Sequence, residues 1–219
     1  RYPAEDVVRP IRMRRLSSWE VLNIFSAVAS RVGGKLIGLA FIVVLARIST
    51  PTEFASYSYL IALALLFVVL TDTGMGAAAG RDVARGDIAL STVYREGVAG
   101  AVAGGAFGAI ALCAVGLLDS GPGSDGVALA FAALFVAFNA VFNFQASILR
   151  SSGRHWAESA LQIVGGTLFV VVGVAIVLGG LGIGALMAAF AFKEAVMVCL
   201  AQAYLPDPRR APRKPDAWR

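Results

Sequence analysis

Long apolar runs alternate with short polar breaks along nearly the whole chain. Six runs are of spanning length: Leu22–Ile48, Tyr57–Ala79, Val93–Leu118, Val127–Leu149, Ser159–Leu178 and Ile183–Leu205. A helix needs about 20 mostly apolar residues to cross a hydrocarbon core of roughly 30 Å. The breaks carry turn chemistry. Ser49-Thr50-Pro51-Thr52 ends one helix and caps the next, Asp119-Ser120-Gly121-Pro122-Gly123 is a loop, and Gly179-Gly180-Leu181-Gly182 is a tight turn. The pattern predicts an all-α, polytopic bundle of six transmembrane helices. The polar stretch Gly80–Leu90 is expected to form a short interfacial helix before the third span. Residues 1–21 are expected to be an N-terminal segment, 22–205 the membrane bundle, and 206–219 a Pro- and Arg-rich tail or linker that prolines keep from being helical throughout.

Composition agrees with lipid as the surrounding medium. Hydrophobic residues make up 58% and charged residues only 15% of the 219, against about 25% charged in an ordinary soluble domain. Mean hydropathy is +0.76. The 24 glycines fit helices that approach closely. On the third span Gly97, Ala101, Gly105 and Ala109 form one four-residue row, and Gly100, Gly104 and Gly108 a second. Gly34 with Gly38 repeats the spacing, and Gly166 with Gly173, seven apart with no small residue between them in the row, share one face more weakly. These rows predict close helix contacts, with a sliding contact in a moving bundle as the functional alternative. Cys113 and Cys199 lie inside apolar runs and are expected to be buried thiols.

The charges decide orientation. Fifteen of the 19 Lys and Arg residues fall in the N-terminal segment, the segment from Arg81 to Arg95, the loop at Arg150 and Arg154, and the tail. Arg47 alone falls on the other side. By the positive-inside bias both termini are cytoplasmic, which an even number of spans satisfies. The same distribution removes nucleic acid as the explanation of the net charge of +5, since the basic groups are spread over four segments along one membrane face.

Charges inside the spans are costly, about 2.5–3.5 kcal/mol each on insertion scales, so each is a candidate site. Arg31 and Lys35 share one helix face, with Lys35 about 20 Å along its span, near mid-membrane. A water-filled cavity lined by this pair would draw an anionic substrate; snorkelling to the headgroups is the bland alternative, easier for Arg31 than for Lys35. Lys193 and Glu194 are adjacent and point about 100° apart, so they are not expected to face one partner. One pairs with another helix, or one faces the cavity. Asn139 and Asn143, with Gln145 nearby, are either interhelical hydrogen-bond glue or cavity groups holding sugar hydroxyls. Asp72 is expected to cap or break the second helix, or to pair with an Arg such as Arg81. Arg81 and Arg85 complete a set of structural or gating candidates. The single histidine, His155, sits in a loop, no His/Cys/Asp cluster has metal spacing and no nucleophile or acid/base set can be assembled. No catalytic residue, metal or cofactor is expected, and a membrane-embedded glycosyltransferase or acyltransferase is set aside.

Residues 41–60, FIVVLARISTPTEFASYSYL, resemble the opening of the polysaccharide transporter (O-antigen and teichoic-acid flippase) family of the multidrug/oligosaccharidyl-lipid/polysaccharide exporter superfamily. Residues 70–85, LTDTGMGAAAGRDVAR, resemble that family's Asp-x-Gly segment followed by Arg and Ala-Arg. Residues 143–156, NFQASILRSSGRHW, resemble the loop before its fifth helix. Two six-helix lobes joined by a cytoplasmic linker characterise the family, so the resemblance implies one N-terminal lobe. The start at Arg1 rather than Met adds the expectation of a fragment or processed product. The resemblance further implies a plasma-membrane flippase that moves a lipid-diphosphate-linked glycan by rocking its lobes, Arg31 and Lys35 neutralising the diphosphate. Its partners would be membrane lipid, the glycan lipid, and a missing C-terminal lobe or a second copy. Two alternatives remain: a multidrug exporter of the same superfamily, which would favour intramembrane carboxylates, and a non-transporting six-helix scaffold or assembly subunit.

Overall fold

Polar breaks set the helix ends, and the clearest is Ser49–Glu53. The Thr50 hydroxyl accepts from the Glu53 backbone N–H at 3.3 Å, while Glu53 Oε2 accepts from the Thr50 N–H at 3.0 Å. This reciprocal capping box, with Pro51 at the first helical position, starts a new helix three residues after the previous one stops. The structure is a computed structural model that describes the backbone of residues 18–71, 74–85, 90–118 and 125–205, and the side chains of 32–71, 74–82, 92–118 and 125–205. The expected segments 1–17 and 206–219 and the 119–124 part of the third loop lie outside the described residues.

Seven helices are described, in the order α1 (Ser18–Ile48), α2 (Pro51–Thr71), α3 (Met75–Arg85), α4 (Leu90–Leu118), α5 (Gly126–Ser151), α6 (His155–Leu178) and α7 (Gly182–Tyr204). There is no strand among the described residues. Five helices are long and apolar enough to cross a membrane: α2, α4, α5, α6 and α7. α1 covers the expected first span but is not among the five, so the expected six is met here by five.

The second span is shifted. Its expected range, Tyr57–Ala79, is replaced by Pro51–Thr71 and a separate helix from Met75. The Thr71 hydroxyl turns back to the Val68 carbonyl at 2.9 Å, and Gly74 takes φ +69°. A helix cannot run through a left-handed residue, so the chain re-enters as α3 five residues before the expected Gly80. The ends of α5 and α6 share one solution. Arg154 N–H bonds to Leu149 O and Gly153 N–H to Arg150 O; Leu181 N–H bonds to Ile176 O and Gly180 N–H to Val177 O. These are Schellman motifs, and Gly153 (φ +74°) and Gly180 (φ +66°) supply the left-handed residue each needs.

α5 is the central helix, with α4 and α7 against it, α3 across its C-terminal half and α6 holding α1 to the bundle. The glycine rows of α4 make that approach possible. A Cβ on Gly105 would stand 2.8 Å from the Ala137 carbonyl oxygen, and one on Gly97 would meet the Phe144 ring. Gly108 would meet Thr71, so the second row faces the end of α2. The remaining rows differ from expectation. Gly34 and Gly38 have nothing within 4 Å among the described residues. Gly173 packs on Phe41, but Gly166 is open and its neighbour Gly165 makes the contact, with Met197. Cys113 is half-buried and Cys199 exposed, so the two are not a pair of buried thiols.

Large apolar side chains such as Val69 (70% exposed) and Phe107 (74% exposed) stand on the outside. A surface of that kind belongs against lipid.

Candidate functional site

The polar residues inside the bundle gather on α5 and the helices that face it. Asn139, Asn143, Ser147 and Arg150 recur at steps of four, four and three, which places them along one side of α5. At the start of this row, near the middle of α5, the structure brings together four expected site residues. Asn143 donates to Asn139 Oδ1 at 2.8 Å, Asn139 donates to Glu194 Oε1 at 3.3 Å, and Lys193 Nζ lies 2.5 Å from the same carboxylate oxygen. The relay links α5 to α7. Glu194 is 3% exposed, and its other oxygen, Oε2, is buried without a hydrogen-bond partner among the described residues. Lys193 also lies over the Phe190 ring, 5.0 Å from its centroid, in the range of a cation–π contact.

This corrects the expectation for the adjacent pair. The Cα–Cβ directions of Lys193 and Glu194 do diverge, but the four-carbon lysine stem curls back, and the two become each other's partner. The pair is therefore charge-compensated, and Glu194 makes the interhelical bond through Asn139.

Towards the C-terminal end of α5 the polarity continues. Ser147 donates to the Gly76 carbonyl of α3 at 2.7 Å. Arg150 meets Glu158 of α6 at 2.6 Å, and Gln162 donates to the same Glu158 oxygen at 3.2 Å. Glu158 is 6% exposed, so its charge is held inside by these donors. Arg154 donates to the Tyr204 carbonyl at 2.5 Å, and Trp156 stands edge-on to the Tyr204 ring. On another side of α5, Gln145 donates to the Tyr94 hydroxyl (3.2 Å) and to Gln202 Oε1 (3.1 Å), and Tyr94 and Gln202 bond directly, tying α4, α5 and α7 together. A cavity of about 300 Å³ opens between the α2–α3 break, α4 and α5, lined by Asn143, Ser147 and Arg150 among others.

Other expected residues stand apart from this group. Lys35 is exposed on α1, on a stretch where Gly33, Gly34 and Gly38 have no neighbours, and no ion pair joins it to another described residue. The side chain of Arg31 lies outside the described residues, as do Asp72 and the side chain of Arg85. Arg81 is exposed on α3. His155 opens α6 and is half-buried.

Sequence reasoning missed Glu158 as the partner of Arg150 and the Tyr94–Gln145–Gln202 brace. The first had a readable signal, an acid eight residues after a base across a predicted loop. In the second, the sequence singles out Gln145 as possible helix glue but not its partners Tyr94 and Gln202, which are 51 and 57 residues away.

A family model described as polysaccharide biosynthesis protein matches residues 21–207. Comparison with curated proteins and with solved structures gave no match.

Proposed function

This chain belongs to the polysaccharide biosynthesis protein family and is a multi-pass membrane protein, and on that premise we propose that it is the N-terminal lobe of a flippase for lipid-linked glycans. The lobe consists of six spans, with α1 as the sixth, in a plasma membrane with both termini cytoplasmic. Its work is transport by alternating access rather than catalysis. The substrate is a glycan carried on a lipid diphosphate, and a C-terminal lobe or a second copy supplies the other wall of the cavity.

The observation that carries this reading is the polar relay Asn143–Asn139–Glu194–Lys193, which runs from an exposed Asn143 to a buried Glu194 in a bundle whose outer surface is apolar. Intramembrane polar groups of this density mark substrate or ion pathways. Compensation within the relay assigns it hydroxyl-rich sugar rather than diphosphate. The diphosphate then falls to Lys35, whose charge meets no carboxylate among the described residues, together with Arg31 one turn away.

The test is flipping of a fluorescent lipid-diphosphate-linked glycan in proteoliposomes carrying the full chain as encoded with any second lobe. Replacing Arg31 and Lys35 together with Gln is expected to lower the rate at least about tenfold, the loss of roughly 1.4 kcal/mol of interaction. Unchanged flipping would remove the pair from the mechanism. A second reading, a multidrug exporter of the same superfamily, is favoured by Glu194 as an intramembrane carboxylate. Its pairing with Lys193 places it behind the first.

A further inference from the structure

The cavity between α3 and the C-terminal half of α5 has a chemistry of its own. It measures about 300 Å³, at the lower end of the range of small-molecule pockets. Asn143, Ser147 and Arg150 line one wall and residues 74–77 another, with Val68 and Thr71 of α2 and small side chains such as Ala101 and Ala140 between them.

Counting hydrogen-bonding groups shows what it can take. Arg150 carries five N–H donors and Asn143 two donors with a carbonyl oxygen. The bonds already made engage Arg150 Nη1 with Glu158, Asn143 Nδ2 with Asn139, and the Ser147 proton with Gly76 O. The remaining Arg150 N–H groups, the second Asn143 N–H, the Asn143 carbonyl and the Ser147 lone pairs form a mixed donor–acceptor wall. Its net charge is close to zero, because the buried carboxylate of Glu158 stands 2.6 Å from the Arg150 guanidinium. A phosphate or diphosphate needs an uncompensated cation and donors only. A pyranose ring is uncharged, presents hydroxyls that both donate and accept, and has C–H faces that suit alanine walls and the nearby Phe144.

We propose that this cavity is a saccharide subsite that binds one uncharged sugar unit through Asn143, Ser147 and Arg150. The proposal rests on the reading of the chain as a glycan-lipid carrier and places sugar recognition apart from the diphosphate. The subsite lies at the end of α5 that carries Arg150, on the side where the positive loops gather, so a sugar would meet it before the mid-bundle relay.

The experiment is site-directed protection on the full chain in nanodiscs. Cys113 and Cys199, the two free cysteines, are changed to Ala, and Ala77, an exposed residue of the cavity wall, is changed to Cys. Reaction with a water-soluble maleimide is followed in the presence of glucose, N-acetylglucosamine or inorganic diphosphate. Millimolar sugar is expected to slow labelling severalfold while diphosphate leaves it unchanged. Asn143→Leu should raise the sugar concentration giving half protection about fivefold to tenfold, as loss of a bond of this type does. Ala140→Phe, which fills the space, should abolish protection. Protection by diphosphate, protection by neither probe, or a Cys at position 77 that does not react at all would each overturn the proposal, the last because a saccharide subsite must open to water. Sugar protection without glycan-lipid flipping would retain the subsite and remove the transport reading, so the two failures are distinct. Labelling of the parent protein decides the matter even where Asn143→Leu or Ala140→Phe fails to fold.

Discussion

The two ends of the bundle are built differently. At the end that carries Glu53, the core is dry. Phe41, Tyr57 and Phe169 meet edge to face, Phe169 and Phe190 continue the stack, and Ala64, Leu112 and Val136 are fully enclosed. At the end that carries Arg150, apolar packing shrinks to small groups such as Phe142, Leu149 and Met197. Hydrogen-bonded polar side chains fill the space between. Lipid offers little hydrophobic driving force for helix association, so packing and interhelical hydrogen bonds must supply it. The dry end relies on close packing and the wet end on bonds. Among the described residues, the wet end gathers polar side chains of several helices around one cavity.

The strongest way to break this contrast is to unbalance the charge pair of the mid-bundle relay, where the polar side begins. Lys193→Met should leave Glu194 as an uncompensated buried carboxylate and destabilise the protein by at least about 3 kcal/mol, read from chemical unfolding in detergent micelles. Lys193→Met combined with Glu194→Leu should recover most of that loss, since an apolar pair of similar size replaces an ion pair at little cost. A double variant as unstable as the single one would mean that the pair is not the unit. At the dry end, Phe41→Ala should lower stability by about 2 kcal/mol. Cavity formation dominates there, because the transfer contribution is weak in lipid.

Gly105→Ala tests the seam between the ends, where α4 touches α5 backbone to backbone. It should cost roughly 1–2 kcal/mol, whereas Gly33→Ala, with open space around it, should be neutral in the same unfolding measurement. The smallest expected effect is that of Asn143→Ala, no more than about 0.6 kcal/mol, the average for a side-chain hydrogen bond between membrane helices, because its bond to Asn139 stays within α5. If transport falls far more than stability in that variant, the wet end works on substrate rather than on the fold.

The dry end was legible in the sequence and the wet end only in outline. Apolar runs of spanning length and the capped break at Ser49–Glu53 place the helix starts within a few residues. The α2–α3 break falls beside Asp72, the residue expected to cap or break the second helix, whereas hydropathy extends the span to Ala79 because Gly76–Ala79 reads as apolar helix; the left-handed turn at Gly74 is set by backbone geometry rather than by hydropathy. Glycine rows announced close approach without naming the partner. The same spacing led to contact on α4 and to open space at Gly34 and Gly38. Asn139, Asn143, Lys193 and Glu194 could be singled out by the cost of polarity at depth. Their assembly into one relay depends on how α5 and α7 face each other, and one sequence does not encode that in any local pattern. The cavity is a product of four helices and a turn, visible only after folding.

The bond from Arg154 to the Tyr204 carbonyl has a mechanical consequence. It joins the turn between α5 and α6 to the last carbonyls of α7, beside the contact of Trp156 with the Tyr204 ring. Tension applied to the chain beyond α7 is therefore shared at once with the start of α6 and the end of α5. Three helix ends are tied at this point, so fraying of the last turn of α7 has to break the Arg154 bond and the Trp156 contact as well as the helix's own hydrogen bonds.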